Sequence, residues 1–250
     1  ILGAITINTD MIMLGWWRSA QELGYYASAE KIILLLYLIP TLLASAAFPV
    51  FSRLANVNNE RFRLVFEKIM SIATVLALPI AVGGILLAPK IVALLFGTEY
   101  LPATLTVQIL FLTVLVLFPS AIIPNALFAY DKQKFFLIFT AVGVLGNILL
   151  NSLLIPRYGI EGCAIATLIA QIASNALVWW RMKKTNPFKL LPYIGRAVVA
   201  TLVMLVVLMA LAPLDLPVLV AILIAALVYG GVLLALREPL LKEALAIVKQ

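Results

Sequence analysis

The sequence has 250 residues, of which 64% are hydrophobic and only 12% are charged, and its formal net charge is +7. Soluble domains carry about 25% charged residues, so this composition excludes a soluble protein and predicts an all-α, polytopic membrane protein. Histidine is absent and Cys163 is the single cysteine, which excludes disulfides and Cys/His metal sites within this chain.

Eight stretches are predicted to span the membrane, because a spanning helix needs about 20 mostly apolar residues. In chain order they are roughly 1–17, 27–51, 70–96, 105–129, 135–155, 162–180, 197–212 and 218–236. Tryptophan and tyrosine residues lie near many of their ends, as aromatic belts require. The chain begins at Ile1 rather than at methionine, which predicts that an N-terminal part is missing.

The basic residues are unevenly distributed between the predicted loops. Most of the 18 lysines and arginines follow the second, fourth and sixth segments or lie in the C-terminal tail, whereas only Arg18 and Arg157 lie in loops on the other side. The positive-inside rule therefore predicts that both ends of the chain face the cytoplasm. The same distribution explains the net charge without nucleic acid as a partner.

The first two segments carry charged residues within apolar sequence. Asp10 lies six residues before Trp16, and Lys31 lies six residues after Tyr25, or about 9 Å inward along a helix in both cases. Because these helices are antiparallel and joined by a short loop, we predict that Asp10 and Lys31 pair. Charge inside a membrane is costly, which favours Asp10, Glu30 and Lys31 as cavity-lining, substrate-binding residues. Snorkelling of Lys31 to the interface is the alternative.

Residues 56–69 differ from the spans around them. Phe62, Val65, Phe66 and Ile69 recur at helical spacing, while the basic residues of this stretch fall elsewhere on the helix wheel. This pattern predicts a short amphipathic helix that lies on the cytoplasmic membrane surface.

The later segments carry uncharged polar side chains. These are Asn125 in the fourth segment, Asn147 and Asn151 in the fifth, and Gln171 and Asn175 in the sixth. The members of each pair are four residues apart and share one helix face. We predict that all five bind substrate in a cavity; hydrogen bonding between helices is the alternative.

The stretch from Asn147 to Ala170 is predicted to form a helix hairpin, because Pro156 ends one apolar segment and Gly159 and Gly162 allow a turn before the next. Its run N-x-x-x-N-x-x-x-I-P-x-Y-G-I-x-G-x-A-I-A-T resembles the polysaccharide flippase branch of the multidrug/oligosaccharidyl-lipid/polysaccharide exporter superfamily. The stretches TDMIMLGWW, LGYYASAEKI and FPVFSRL are similar to the opening of the second helical lobe in that branch. The resemblance covers residues 1 to about 180.

That resemblance implies a MATE-like fold, in which two six-helix lobes enclose a cavity that opens to each side of the membrane in turn. Residues 1–180 are expected to form the second lobe. Residues 181–250 are expected to form a basic cytoplasmic linker, two accessory transmembrane helices and a cytoplasmic tail. The missing part is expected to be the first lobe, and membrane lipids are expected to surround both.

The implied function is to flip oligosaccharide repeat units linked to a polyprenyl diphosphate, such as those of O-antigen, across a bacterial or archaeal inner membrane for polysaccharide biosynthesis. Lys31 is expected to contribute to phosphate binding, and the Asn and Gln residues to hydrogen-bond sugar hydroxyls. No cofactor is expected, because phosphate-loop and nucleophile motifs are absent from the sequence. Transport would instead use an H⁺ or Na⁺ gradient or the membrane potential.

Two other functions stay open at this point. A multidrug/cation antiporter of the same superfamily would use a substrate-coupled acid, for which Asp10 is the candidate, and apolar aromatic cavity walls. A membrane enzyme of polysaccharide assembly would need a large extramembrane loop with paired carboxylates or several arginines. The predicted loops of this chain are too short for such a site, so we expect a transporter rather than an enzyme.

Overall fold

The computed structural model describes residues 2–236, apart from the side chains of residues 2–8 and 191–193. All regular structure in this range is helical. The helices are α1 Leu2–Trp17, α2 Ala20–Leu54, α3 Asn59–Phe96, α4 Thr104–Ser120, α5 Ile123–Ala129, α6 Phe135–Thr185, α7 Leu191–Leu211 and α8 Val218–Ala235. Short 3₁₀ helices at Thr98–Ala103 and Ala212–Leu214 lead from α3 into α4 and from α7 towards α8.

Six stretches of the described chain are long and apolar enough to cross a membrane. They correspond to α2, α3, α4 with α5, α6, α7 and α8. The chain is therefore a multi-pass membrane protein, as its composition predicts. The predicted count of eight spans stays a prediction, because α1 has only 16 residues and the 51-residue α6 is one continuous assignment. The MATE-like arrangement also stays a prediction.

The long helix α6 is a hairpin. Gly159 has φ 61° and ψ −136°, which is not a helical conformation and is open mainly to glycine. The Nδ2 of Asn147 lies 3.3 Å from the Oγ1 of Thr167, twenty residues later. In a straight helix these residues would lie about 30 Å apart. The helix therefore turns back at Gly159 into a first arm, residues 135–158, and a second arm, residues 160–185. The predicted hairpin is confirmed.

Arg18 holds this hairpin against the corner between α1 and α2. Its Nη2 donates to the carbonyl oxygens of Ile155 and Pro156, at 2.7 and 3.0 Å. Its Nε also donates to the Ile155 carbonyl at 3.2 Å. Carbonyl groups near a proline and a turn lose helical partners, and the guanidinium supplies replacement donors. Three helices are thus joined at one end of the molecule.

The predicted surface helix over residues 56–69 is wrong. From Asn59 to Phe96 the chain forms one helix of 38 residues, which the Asn58 side chain caps by accepting from Arg61 N at 2.9 Å. Phe62 and Phe66 are fully buried in ring contacts with residues of other segments: Phe51, Tyr130 and Phe188. The apolar face is therefore covered by protein. At about 57 Å, α3 is longer than the roughly 30 Å hydrocarbon core.

The helices form two hydrophobic clusters. The larger one draws on α1 to α6 and on Phe188, and the fully buried Cys163 lies within it. The smaller one joins α7 and α8 to the middle of α3. Polar contacts support the second cluster, since Tyr229 donates to the Val75 carbonyl at 2.6 Å and Lys90 forms an ion pair with Asp215 at 2.8 Å. The predicted division of the chain at residue 180 stays a prediction.

Candidate functional site

A cavity of about 510 Å³ lies between α1, α2, α4 and the two arms of α6. Its volume is within the usual range for small-ligand sites. Apolar side chains make up part of the wall. The polar side chains of the wall are Asp10, Glu30, Tyr37, Ser120, Thr140, Asn147, Thr167, Gln171, Ser174 and Asn175.

Five of the eight residues predicted to bind substrate line this cavity: Asp10, Glu30, Asn147, Gln171 and Asn175. The other three lie elsewhere. Asn151 is fully buried beside Asp10, Asn125 is half-buried next to the cavity residue Pro124, and Lys31 is exposed. Substrate binding by any of the eight stays a prediction.

Asp10 is the centre of a hydrogen-bond network that joins three helices. Its carboxylate accepts from Tyr26 Oη at 2.8 Å, from Thr167 Oγ1 at 2.9 Å and from Asn151 Nδ2 at 2.7 Å. The same Asn151 nitrogen also donates to Asn147 Oδ1 at 3.0 Å. Only 7% of Asp10 is exposed. A carboxylate so deeply buried is costly unless hydrogen bonds satisfy its oxygens, and these three donors do so.

The predicted ion pair between Asp10 and Lys31 is wrong. Neither residue takes part in an ion pair with another described residue. The reason is rotation about the axis of α2. Tyr26 and Glu30 are four residues apart and share the face that reaches Asp10 and the cavity, whereas Lys31 lies about 100° further round.

Glu30 makes the cavity wall acidic. Its side chain is half-buried, lines the cavity and accepts no hydrogen bond from the described residues. With Asp10 it gives the wall two carboxylates, and no lysine or arginine is among the described lining residues. The expectation that Lys31 adds positive charge to this cavity is not met, because that side chain is exposed.

Two buried side-chain oxygens near the cavity lack a protein partner. They are Gln171 Oε1, in the wall itself, and Asn151 Oδ1, beside Asp10. Buried polar atoms are nearly always paired, so an acceptor of this kind indicates a place for water, an ion or a ligand. In the described part of the chain, no cluster of three His, Cys, Asp or Glu side chains suits a transition metal.

Sequence reasoning missed Tyr26 and Thr167. Tyr26 lies one turn before Glu30, and a helix wheel of α2 places the two on one face, but the tyrosine fits a membrane-interface belt equally well. Thr167 is the last residue of the N-x-x-x-N to A-I-A-T run and lies opposite Asn147 once the hairpin closes. The length of the turn decides which residues of the two arms lie opposite each other, and it was therefore the sequence signal that could have identified Thr167.

Residues 1–105 match the family described as "Polysaccharide biosynthesis protein". The chain is 32% identical over 239 residues to the probable flippase AglR of Haloferax volcanii, an alignment that covers 92% of this chain and 50% of AglR. It is 23% identical over 182 residues to a putative O-antigen transporter of Shigella flexneri, covering 72% of this chain and 43% of that protein.

A solved structure of the lipid II flippase MurJ, in an inward closed conformation, superposes on this chain with a TM-score of 0.79. The two are 21% identical, and the superposition covers 92% of this chain and 50% of MurJ. The chain thus has the fold of half of MurJ, and it spans about half the length of AglR.

Proposed function

This chain belongs to the polysaccharide flippases of the multidrug/oligosaccharidyl-lipid/polysaccharide exporter superfamily, and from that premise we propose that the protein moves polyprenyl-diphosphate-linked oligosaccharides across a bacterial or archaeal plasma membrane. The observation that carries the proposal is a cavity that places ten polar side chains inside a group of otherwise apolar helices. A glycan cannot enter hydrocarbon without losing its hydrogen bonds to water, and the cavity offers amide, hydroxyl and carboxylate groups in exchange.

The cavity forms one half of the transport site in this proposal. A six-helix lobe that precedes residue 1 supplies the facing wall, and residues 1–180 form the second lobe. Movement of the two lobes then opens the site to each side of the membrane in turn. Residues 181–250 add the basic linker, two accessory helices and the tail. The half-length match to AglR and MurJ supports this arrangement.

The proposed energy source is an ion gradient that acts through Asp10. Its carboxylate is buried between helices, it has no cationic partner among the described residues, and two hydroxyl groups and one amide nitrogen of neighbouring side chains donate to it. Na⁺ or H⁺ bound there would remove a buried negative charge and change the hydrogen bonds that join α1, α2 and α6. The network thus links ion binding to helix position.

The proposed topology places both ends of the chain in the cytoplasm. The support is the concentration of basic residues at the end of α2 and the start of α3, between α5 and α6, and from the end of α6 to the start of α7. Transport rather than an enzymatic reaction agrees with the relatives, which are named as flippases and transporters.

The test is complementation of a strain that lacks its oligosaccharide-lipid flippase, with surface glycan as the readout. We expect the full-length protein to restore the glycan and Gln171→Leu, which places an apolar group in the cavity wall, to reduce it at least tenfold. Gln21→Leu is the matched control, because Gln21 is exposed at the start of α2.

Each alternative outcome assigns a different role. Restored glycan that is indifferent to Gln171→Leu would keep the function and reject this cavity as its site. Absence of glycan, together with new resistance to cationic drugs, would replace flipping by multidrug antiport.

A further inference from the structure

Two polar groups of the cavity wall that lack a partner among the described residues are hydrogen-bond acceptors, whereas the hydroxyl groups of Tyr37 and Thr140 can donate or accept. Gln171 Oε1 is buried and unpaired, and the Glu30 carboxylate accepts no hydrogen bond from the described residues. A ligand that satisfies such groups must donate hydrogen bonds, as sugar hydroxyls, amide N–H groups and ammonium groups do. A diphosphate presents acceptor oxygens and matches neither group.

The charge of the wall leads to the same conclusion. Proteins bind phosphate with arginine, lysine or helix N-termini, and none of the described lining side chains is basic. Placing a diphosphate beside these two acidic side chains would bring groups of like charge together.

The two carboxylates differ in whether they can still accept a hydrogen bond from a ligand. The three donors from Tyr26, Thr167 and Asn151 occupy both oxygens of Asp10, and that residue is nearly inaccessible. Glu30 is one helical turn from Tyr26, on the same side of α2, and its side chain reaches the open part of the cavity. Glu30 is therefore the carboxylate that a ligand contacts.

From these observations, and resting on the function proposed above, we infer that this wall receives the sugar units of the lipid-linked oligosaccharide and not its diphosphate. Glu30 makes the wall selective: it favours sugars that present hydroxyl or ammonium groups and disfavours sugars that carry a carboxylate. The diphosphate is then held by groups outside this wall.

The experiment uses full-length protein in liposomes and three synthetic probes. All three carry the same short polyprenyl chain and the same diphosphate. They differ only in the terminal unit of a disaccharide, which is a neutral hexose, an amino sugar with a free ammonium group, or a uronic acid. The initial rate at which each probe crosses the bilayer is measured for every variant.

We expect the wild-type protein to move the ammonium probe about tenfold faster than the uronate probe. Glu30→Gln should bring that ratio close to one, by slowing the ammonium probe and accelerating the uronate probe, and its effect on the neutral probe should lie between these two. Glu30→Asp should restore much of the preference. Glu99→Gln is the matched control, because Glu99 is exposed in the 3₁₀ helix that follows α3.

A preference that survives Glu30→Gln would overturn the inference, as would an equal loss of rate for all three probes, since both results separate Glu30 from sugar recognition. Failure of the wild-type protein to move any probe would instead reject the proposed function, and the inference with it. Size-exclusion chromatography and detergent unfolding of the purified variant show independently that Glu30→Gln is folded.

Discussion

Removing the hydroxyl group of Tyr26 tests the network around Asp10. Tyr26→Phe keeps a ring that is only 1% exposed and deletes the hydrogen bond of 2.8 Å to the Asp10 carboxylate, together with a weaker contact of 3.4 Å to Thr167 Oγ1. Hydrogen bonds to charged groups contribute about 1.5–3 kcal/mol in soluble proteins, whereas those measured within membranes average about 0.6 and reach about 1.7 kcal/mol. We expect the free energy of unfolding to fall by about 1–1.7 kcal/mol, the upper part of the membrane range, because the acceptor is charged and buried.

The assay is unfolding of the purified full-length protein in mixed micelles by increasing denaturing detergent. Tyr25→Phe is the control. Its hydroxyl group accepts a hydrogen bond from Gln21 at an exposed site, so its loss should cost less than about 0.5 kcal/mol. A double-mutant cycle of Tyr26→Phe with Asp10→Asn then isolates the interaction between Tyr26 and Asp10, and we expect a coupling energy of about 1 kcal/mol.

Equal effects of Tyr26→Phe and Tyr25→Phe would refute this reasoning, since the charged acceptor would then add nothing. Zero coupling with Asp10→Asn would refute it independently. Either result would also weaken the proposal that Asp10 links ion binding to helix position.

Three further predictions concern the fold. Gly159→Ala should destabilise the protein by about 1–2 kcal/mol because its φ is 61° and an added Cβ would lie 3.4 Å from the Arg18 guanidinium, whereas Gly146→Ala, with no atom within 4 Å, should be neutral in the same unfolding assay. Phe66→Ala should lower the free energy of unfolding by about 3–5 kcal/mol, whereas Leu64→Ala, at an exposed site, should lower it by less than about 0.5 kcal/mol. Equal values would restore the surface-helix interpretation. The Lys90 ammonium donates to Asp215 and to the Leu216 carbonyl, and it holds the pKa of the Asp215 carboxyl below its usual range. The ion pair to α3 is therefore complete above that range and is lost as pH falls through the lowered pKa, which leaves only the bond to Leu216. Hydrogen exchange at residues 212–217 should therefore accelerate in that acidic window, and Asp215→Asn should show the faster exchange already at neutral pH.

Local signals were sufficient for the hairpin of α6. Pro156 cannot continue a regular helix, and Gly159 supplies a backbone conformation that other residues rarely adopt, so both ends of the turn could be predicted from the sequence. The four-residue spacing of Asn147 and Asn151 correctly predicted a shared face, and the structure joins the two side chains by a hydrogen bond.

The rotation of a helix about its own axis could not be predicted from the sequence in this way. Counting residues from Trp16 and Tyr25 gives the depth of Asp10 and Lys31, and depth made a pair plausible. The pair fails because 100° of rotation separates Lys31 from the face that carries Glu30. That angle depends on how α2 packs against α1 and α6, which only the three-dimensional structure gives.

The phenylalanines of α3 show a related limit. The spacing of Phe62 and Phe66 identifies an apolar face, but it does not say whether lipid or protein covers that face. Their partners, among them Phe51 and Phe188, are distant in sequence and carry no spacing signal. Sequence patterns therefore predicted the helix and its apolar face, and were wrong about its surroundings.

The contacts of Arg18 have a mechanical consequence. One guanidinium group ties the α1–α2 corner to the turn of α6, so the helices that enclose the cavity are fastened together at that end. Helices that are joined at one end can separate most at the opposite end. Any change of cavity width made within this half of the transporter should thus be small at the Arg18 corner and largest at the ends of α1, α2 and α6 remote from it.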